Sequence, residues 1–586
     1  MKSIQFIFGT YNAQAPGTAT ADLERVYQRA YKPFLSLLSD FPHLPVVLHY
    51  SGVLLEWIEE KHPEFTTLLG EMVQRKQAEL LGGGYYDPIL TLLPDTDKLG
   101  QLERLNTYLR STFGTRPRGC WLTQRIWEPS LARILKNSGS DYTFLDDSYF
   151  HIAGVSKEEC FYPHLTEDQG KLLAVFPLCI HLQQMVPVRR PETLIEALKG
   201  FADTEGRRVV VLLLPGESLG SDGGNYEALY TKGWLRTFFE LLVSNREWLK
   251  LLTARMYSRK NAVTGRIYFP SLENKEMMNW VLPREQQKVF SDCAGRLHSF
   301  PESEIYLRGG FFRQFLTKYP EVNLLYSRLI YTHILINQLR GDKHAKTAAR
   351  KELWKGENHA PFWHGRFGGV YQNSLRKFAY RSFIEAERIS RSAAHPIHSI
   401  IATDFDMDGS PEYLFQGATL NAFVHRYGAS LFALDFIPAA WNYLDTMARW
   451  PEAYHKRKRD GRDWYPRRGF VDHFFNPDTD LEHFDRMEKF EQGDFVDQPF
   501  ELVELKREHK ELILKRTGRL RINKKDYPFS VQKKYIFKES SLALHVTLKN
   551  LSTEKLDIYY GTELNIALAA MDGGRIVGIK TSKDRK

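Results

Sequence analysis

Along the first 300 residues, short apolar runs alternate with stretches whose apolar positions recur every three to four residues. The runs Ile4–Phe8, Pro45–His49, Ala78–Leu81, Cys120–Thr123, Tyr142–Leu145, Leu173–Phe176, Arg208–Leu214 and Arg266–Phe269 predict strands. Between them Asp22–Leu38, Lys98–Leu109 and Trp234–Leu242 predict helices. Val209–Leu214 is apolar at every position, as a strand must be when both faces of its sheet are covered. Repeated strand-helix order predicts a parallel α/β barrel or open sheet, whose working residues lie just past the C-terminal strand ends. At those ends the chain places Tyr11–Gln14, the glycine-rich Gly82–Pro88, Gln124, Asp146-Asp147 and Pro215–Glu217.

From about 300 to 395 the strand pattern stops. Leu325, Leu329, Ile336 and Leu339 recur at helical spacing, as do Leu375, Phe378, Ala379, Ser382 and Ala386, which predicts a small helical domain. The loop Phe362–Gly369 between them is too polar and glycine-rich to be simply core. From about 400 the period becomes two: Leu542, Leu544, Val546 and Leu548 alternate, as do Leu556, Ile558, Tyr560, Leu564, Ile566 and Leu568. That period predicts antiparallel strands of a β-sandwich. The expected division is 1–300, 301–395 and 396–586. Asp404–Gly409 imitates the opening of an EF-hand loop, but its twelfth position is Phe415 and strand follows, so a structural turn is expected and no EF-hand metal centre, with a weak cation site left open.

Composition alters this picture little. A chain of 586 residues implies more than one core. The net charge of +9 gathers near the C-terminus at Lys533, Lys534, Lys580, Lys583, Arg585 and Lys586. This reads as solvated surface, because no basic run interleaves with aromatics as a nucleic-acid groove requires. Cys120, Cys160, Cys179 and Cys293 have neither metal spacing nor a disulfide framework, which favours a reducing compartment. No apolar leader opens the sequence and no segment reaches bilayer length, so the expected location is cytoplasmic, without membrane association.

Taken together and in order, the motifs resemble glycoside hydrolase family 57, most closely its 4-α-glucanotransferase and α-amylase-like branch. The residues that carry the resemblance are Ala78–Pro88, Trp121–Pro129, Pro215–Gly220, Glu276–Trp280, Tyr319–Asn323, Trp363–Gly365 and Asp404–Gly409. The resemblance implies an incomplete seven-stranded (β/α) barrel, then helices, then a β-sandwich. It also implies retaining chemistry on α-1,4-glucan, with no cofactor. Retention needs two carboxyl groups roughly 5–5.5 Å apart, one a nucleophile and one a general acid/base.

At those two positions the sequence departs from the family. The motif W-L-x-E-R-x-W-E-P places Gln124 at the nucleophile, and D-D-G-E-K-F-G places Leu214 and Pro215 at its two aspartates. A carboxamide keeps the shape of the nucleophile without its charge, and neither Leu nor Pro carries a transferable proton. The family's H-N-H-Q-P has become Tyr11–Ala15, and Tyr326 stands at a usual histidine. Asp87, Asp146 and Glu217 are candidate substitutes; Glu128, which the family also carries, reads as supporting. Trp121, Arg125, Trp127, Tyr86, Asp87, Trp280, Trp363 and His364 are candidate ligand contacts.

The leading expectation is a family member that has lost hydrolase and transferase activity and binds an α-glucan or maltooligosaccharide. Two alternatives stay open: an active α-glucan enzyme with relocated carboxylates, and a structural or interaction protein without sugar affinity. In the branch resembled, the sandwich runs on for some tens of residues, so a shortened end is expected at Lys586. Its exposed sheet edges would need cover, for which a second copy of the chain is one source.

Overall fold

The computed structural model describes residues 2–221, 225–300, 307–365, 368–392, 399–455, 462–488 and 490–568. The chain divides into two compact units. One is the chain to Lys318 with Trp354–Ala379; the other is Tyr319–Leu353 with the chain from Tyr380. The helices expected within 301–395 are therefore shared between the two units.

In the first unit the strands are β1 (Ile4–Asn12), β2 (Val46–Tyr50), β3 (Ala78–Leu81), β4 (Gly119–Cys120), β5 (Tyr142–Asp146), β6 (His164–Asp168), β7 (Lys171–Leu178), β8 (Val209–Pro215) and β9 (Leu249–Leu251). Seven of them form a parallel barrel in the order β3-β2-β1-β8-β7-β5-β4. Its closure is narrow: the Gly82 amide donates to the Gly119 carbonyl and the Trp121 amide to the Gly82 carbonyl, both at 2.9 Å. The β7–β8 seam is nearly as thin, with register at Leu178 and Val211.

Alternation along β8 decides which side chains reach the barrel interior. Val209, Val211 and Leu213 pack inside with Ile7 and Phe176, whereas Val210, Leu212 and Leu214 pack outward with Phe34 and Phe238 under the helices. A fully apolar run was the right sign of a strand covered on both faces.

Three details differ from the sequence reading. The expected strand Cys120–Thr123 ends at Cys120, because Thr123–Arg125 winds into a 3-10 turn. Arg266–Phe269 forms no strand, only an isolated bridge from Arg266 to Leu165. The strands β6, antiparallel to β7, and β9, paired with the start of β1, were not expected. β6 is polar and β9 three residues long, so neither shows a strand period.

In the second unit two antiparallel sheets pack face to face as a β-sandwich. One runs through Ser399–Thr403, Glu412–Gln416, Leu420–Val424, Leu431–Phe436, Gly469–Phe475 and Tyr559–Leu564; the other through Glu501–Lys506, Glu511–Ile522, Lys525–Phe537 and Leu542–Asn550. Tyr413, Phe415, Val424 and Phe474 of the first meet Leu512, Leu514, Phe529 and Val531 of the second. Of the basic residues read as solvated surface, Lys533 is 0% exposed and pairs with Asp472 at 2.8 Å. It lies on the inner face of its strand, where a charge persists only if paired. Lys580, Lys583, Arg585 and Lys586 lie outside the described residues. The four cysteines are free. Among the described residues no helix is long and apolar enough to cross a membrane.

Candidate functional site

The turn that carries Gln124 is strained. Gln124 and Arg125 have φ of 54° and 55°, and Asp87, on the neighbouring loop after β3, has φ of 53°. Side-chain-bearing residues visit this left-handed region at a cost of about 1–2 kcal/mol each, so surrounding contacts must hold them there. Those contacts are present. Arg125 Nε donates to Asp146 Oδ1 at 2.5 Å and its Nη1 to the Tyr11 hydroxyl at 3.5 Å. The Tyr149 hydroxyl donates to the Arg125 carbonyl at 3.2 Å, and Asn274 Nδ2 to the Gln124 carbonyl at 3.4 Å. Burial works against the charges of Arg125 and Asp146; Asp146 and Tyr11 keep the guanidinium charged, while burial leaves the Asp146 carboxyl raised.

The Asp87 carboxylate is held by two side chains. Its Oδ1 accepts from the Thr123 hydroxyl at 2.5 Å, and its Oδ2 lies 3.3 Å from His359 Nε2. His359 Nδ1 accepts from Trp363 Nε1 at 3.0 Å, which assigns the imidazole proton to Nε2, facing Asp87. Burial raises the Asp87 carboxyl, but His359, Thr123 and His49 outweigh it and the group lies below its ordinary value.

Glu217, just past β8, accepts at Oε1 from the Tyr31 hydroxyl at 2.5 Å, the Ala13 amide at 3.1 Å and Gln14 Nε2 at 3.4 Å. Thus all three candidate substitutes, Asp87, Asp146 and Glu217, are tied into structural contacts. At the end of β8, Leu214 faces the outer core. Pro215 has the interior parity of Val211 and Leu213, and pairs in register with Tyr11. Of the two positions aligned with family aspartates, 215 is therefore the one directed into the barrel.

The aromatic candidates separate into two groups. Trp127 and Tyr86 are each 1% exposed; Trp127 packs edge-on against Phe269 at 5.9 Å, and Tyr86 against Tyr85 at 4.9 Å. Both are core residues and offer no ring face to a ligand. Trp121 stacks on Tyr11 at 4.1 Å and 18°, so its ring is largely covered as well. Trp280 and Trp363 keep partial exposure. Trp280 meets the buried His364 edge-on at 5.1 Å, and His364 meets Tyr371 at 4.7 Å.

Several groups escaped the sequence reading. His359 and Asn274 reach the strand ends from distant segments, and no local pattern announces either. Asp147, which the sequence reading did place at a strand end beside Asp146, accepts with its two oxygens from the amides of Ser148 and Ile180, at 2.9 and 3.3 Å, and burial with help from Asp146 pushes it up to about 7. Glu273, buried, accepts from the Phe312 amide at 3.0 Å and is pushed up to about 7, chiefly by burial. Glu128 pairs with Arg313 at 2.8 Å.

A parallel barrel with polar strand ends and a following sandwich matches known carbohydrate-active proteins. Residues 7–270 match the model for glycosyl hydrolase family 57. Residues 310–390 match the middle domain of α-amylase/4-α-glucanotransferase, and 404–462 and 457–583 its C-terminal domain. The chain belongs to glycosyl hydrolase family 57. It is 33% identical to a 4-α-glucanotransferase of Thermococcus litoralis, over 97% of this chain and 88% of that protein. It is 32% identical to an α-amylase of Pyrococcus horikoshii over the same shares. The crystal structure of 4-α-glucanotransferase from Thermococcus litoralis superposes with a TM-score of 0.90 and 34% identity, covering 97% of this chain and 87% of that one.

Proposed function

We propose that this protein is a catalytically degenerate member of family 57 that binds α-glucan chains without cutting or transferring them. The observation that carries this reading is Pro215. The interior-facing position at the end of β8 holds a residue with no proton to give. Gln124 supplies no charge on the strained turn across from it in the motif order. The engagement of Asp87, Asp146 and Glu217 supports the same reading, since a relocated acid/base needs a carboxyl free to exchange its proton. Partly exposed Trp280 and Trp363 are the ring faces left for a sugar. The three-part division 1–300, 301–395 and 396–586 and a cytoplasmic location belong to this reading; the free cysteines favour the latter.

The names of the relatives favour a second reading, an active 4-α-glucanotransferase or α-amylase with relocated carboxylates. Incubation with maltooligosaccharides separates the two. Degeneracy gives no redistribution of chain lengths, whereas disproportionation lost in Asp87→Asn or Asp146→Asn establishes the active reading. Calorimetric titration with maltoheptaose tests the binding half: heat of binding supports it, and absence of both heat and thermal shift leaves a structural or interaction role.

A further inference from the structure

The sandwich unit contains an oxygen cluster that the sugar-binding reading does not use. After the strand Ser399–Thr403 the chain turns through Asp404-Phe405-Asp406-Met407-Asp408-Gly409 and re-enters the sheet at Glu412. Gly409, at φ 87°, permits the turn. Asp404 braces the loop, its Oδ1 and Oδ2 accepting from the amides of Asp408 and Gly409, both at 3.1 Å. Asp408 Oδ1 accepts from the Ser410 amide at 2.7 Å. These bonds shape the loop and would be present in any tight acidic turn.

What separates this cluster from an ordinary turn is the carboxylate beneath it. Glu412 is 0% exposed. Its Oε2 accepts from the Phe405 amide at 2.8 Å, but its Oε1 is buried with no hydrogen-bond partner, and the same holds for Asp406 Oδ1. A buried carboxylate oxygen without a hydrogen bond is costly; His425 Nε2 lies 3.9 Å from Glu412 Oε1, too far to donate to it, and carboxylates lie close by. One oxygen each of Asp404, Asp406 and Glu412 lie within 4.8 Å of one another. A calcium ion bonded at roughly 2.3–2.6 Å is large enough to reach three oxygens so placed.

His425 completes the site from behind. Its Nδ1 accepts from the Tyr427 amide at 3.0 Å, which leaves the proton on Nε2, and Nε2 donates to Asp406 Oδ2 at 3.0 Å. The imidazole therefore orients Asp406 instead of offering a lone pair, in the manner of outer-shell histidines and carboxylates at metal centres. Asn323 Nδ2 donates to the Asp406 carbonyl at 2.6 Å and fixes the same loop.

We infer that Asp404, Asp406 and Glu412 form a calcium site that ties the acidic loop to the sandwich, with His425 as the residue that positions Asp406. The donor set is all oxygen and bears three carboxylates, which suits a hard divalent cation and not a transition metal. The sequence reading set aside an EF-hand because the twelfth position is Phe415 and left a weak cation site open at this loop, without a carboxylate to close it. That carboxylate comes from position 412, on the next strand.

The test uses the full chain, stripped with chelator and desalted. Titration with calcium chloride is expected to give one site per chain and to raise the thermal unfolding midpoint by about 5 °C or more at saturation, with magnesium giving less than half that shift. Asp406→Asn and Glu412→Gln are expected to weaken calcium binding at least tenfold, while Asp480→Asn, at an exposed helix cap of the same unit, leaves it unchanged. Circular dichroism of the chelated variants checks that they fold. Should either fail to, terbium luminescence of the unaltered chain, excited through Tyr413 and Tyr427 and abolished by calcium, serves in its place. Absence of heat, thermal shift and terbium signal in the unaltered chain, or calcium binding untouched by both variants, overturns the proposal.

Discussion

Arg125 Nε and Asp146 Oδ1 meet at 2.5 Å beneath the turn that carries Gln124. Both side chains are largely buried, so each depends on the other for its charge. Asp146→Asn leaves a buried guanidinium with a neutral partner and is expected to cost about 3 kcal/mol. Urea denaturation measures the loss; a change below about 0.5 kcal/mol would mean that the turn is held by its other contacts alone.

Glu273 makes stability depend on pH. Its folded carboxyl titrates at about 7 against an ordinary 4.5. Folding therefore retains a proton that the unfolded chain releases. The stabilisation is complete below about 4.5 and is lost as pH rises through about 7. Glu273→Gln keeps an acceptor for the Phe312 amide and removes the charge. It is expected to raise stability by about 2 kcal/mol at pH 8 and to change it little at pH 4.5; equal effects at both values would contradict this account.

Gln124 has φ of 54°, a conformation glycine adopts freely. Gln124→Gly is expected to leave stability unchanged or to raise it by up to about 1 kcal/mol, while Gln124→Val lowers it by more than about 1 kcal/mol. Thermal unfolding of the two variants side by side tests whether the strain is real.

The parity of β8 gives a prediction about restoring chemistry. Gln124→Glu alone is expected to give no transfer, because no acid stands opposite. Adding Pro215→Asp directs a carboxyl into the barrel, and the double variant is expected to disproportionate maltooligosaccharides at a rate measurable by chromatography. Gln124→Glu with Leu214→Asp is expected to fail and to lose stability, since Leu214 packs in the outer core. Activity in the Leu214 variant and none in the Pro215 variant would reverse the assignment.

How much of this was legible in the sequence follows from the range of the forces involved. Val209–Leu214 announced a covered strand because burial on both faces acts residue by residue. Gly82–Gly84 marked a strand end because close packing there excludes a side chain, as at Gly83 against His49. Cys120–Thr123 misled because Leu122 and Thr123 are apolar enough for a strand, while the turn is imposed by Asp146, Tyr149 and Asn274 from elsewhere. Tyr86 and Trp127 looked available to a ligand because composition does not tell a ring in a cleft from a ring in a core. His359 stayed hidden because it meets Asp87 only in the folded chain. The cation cluster was half visible: the acidic loop was legible, and Glu412 became part of it only through the pairing of Glu412 with Thr403 across two strands.

A barrel that has kept its form and lost its reaction, as proposed, leaves maltoheptaose intact. Purified protein is incubated with maltoheptaose and the products are resolved by chromatography. The account predicts an unchanged maltoheptaose peak in the unaltered chain and redistribution only after Gln124→Glu with Pro215→Asp. Redistribution of chain lengths by the unaltered chain, abolished in Asp87→Asn or Asp146→Asn, would contradict it.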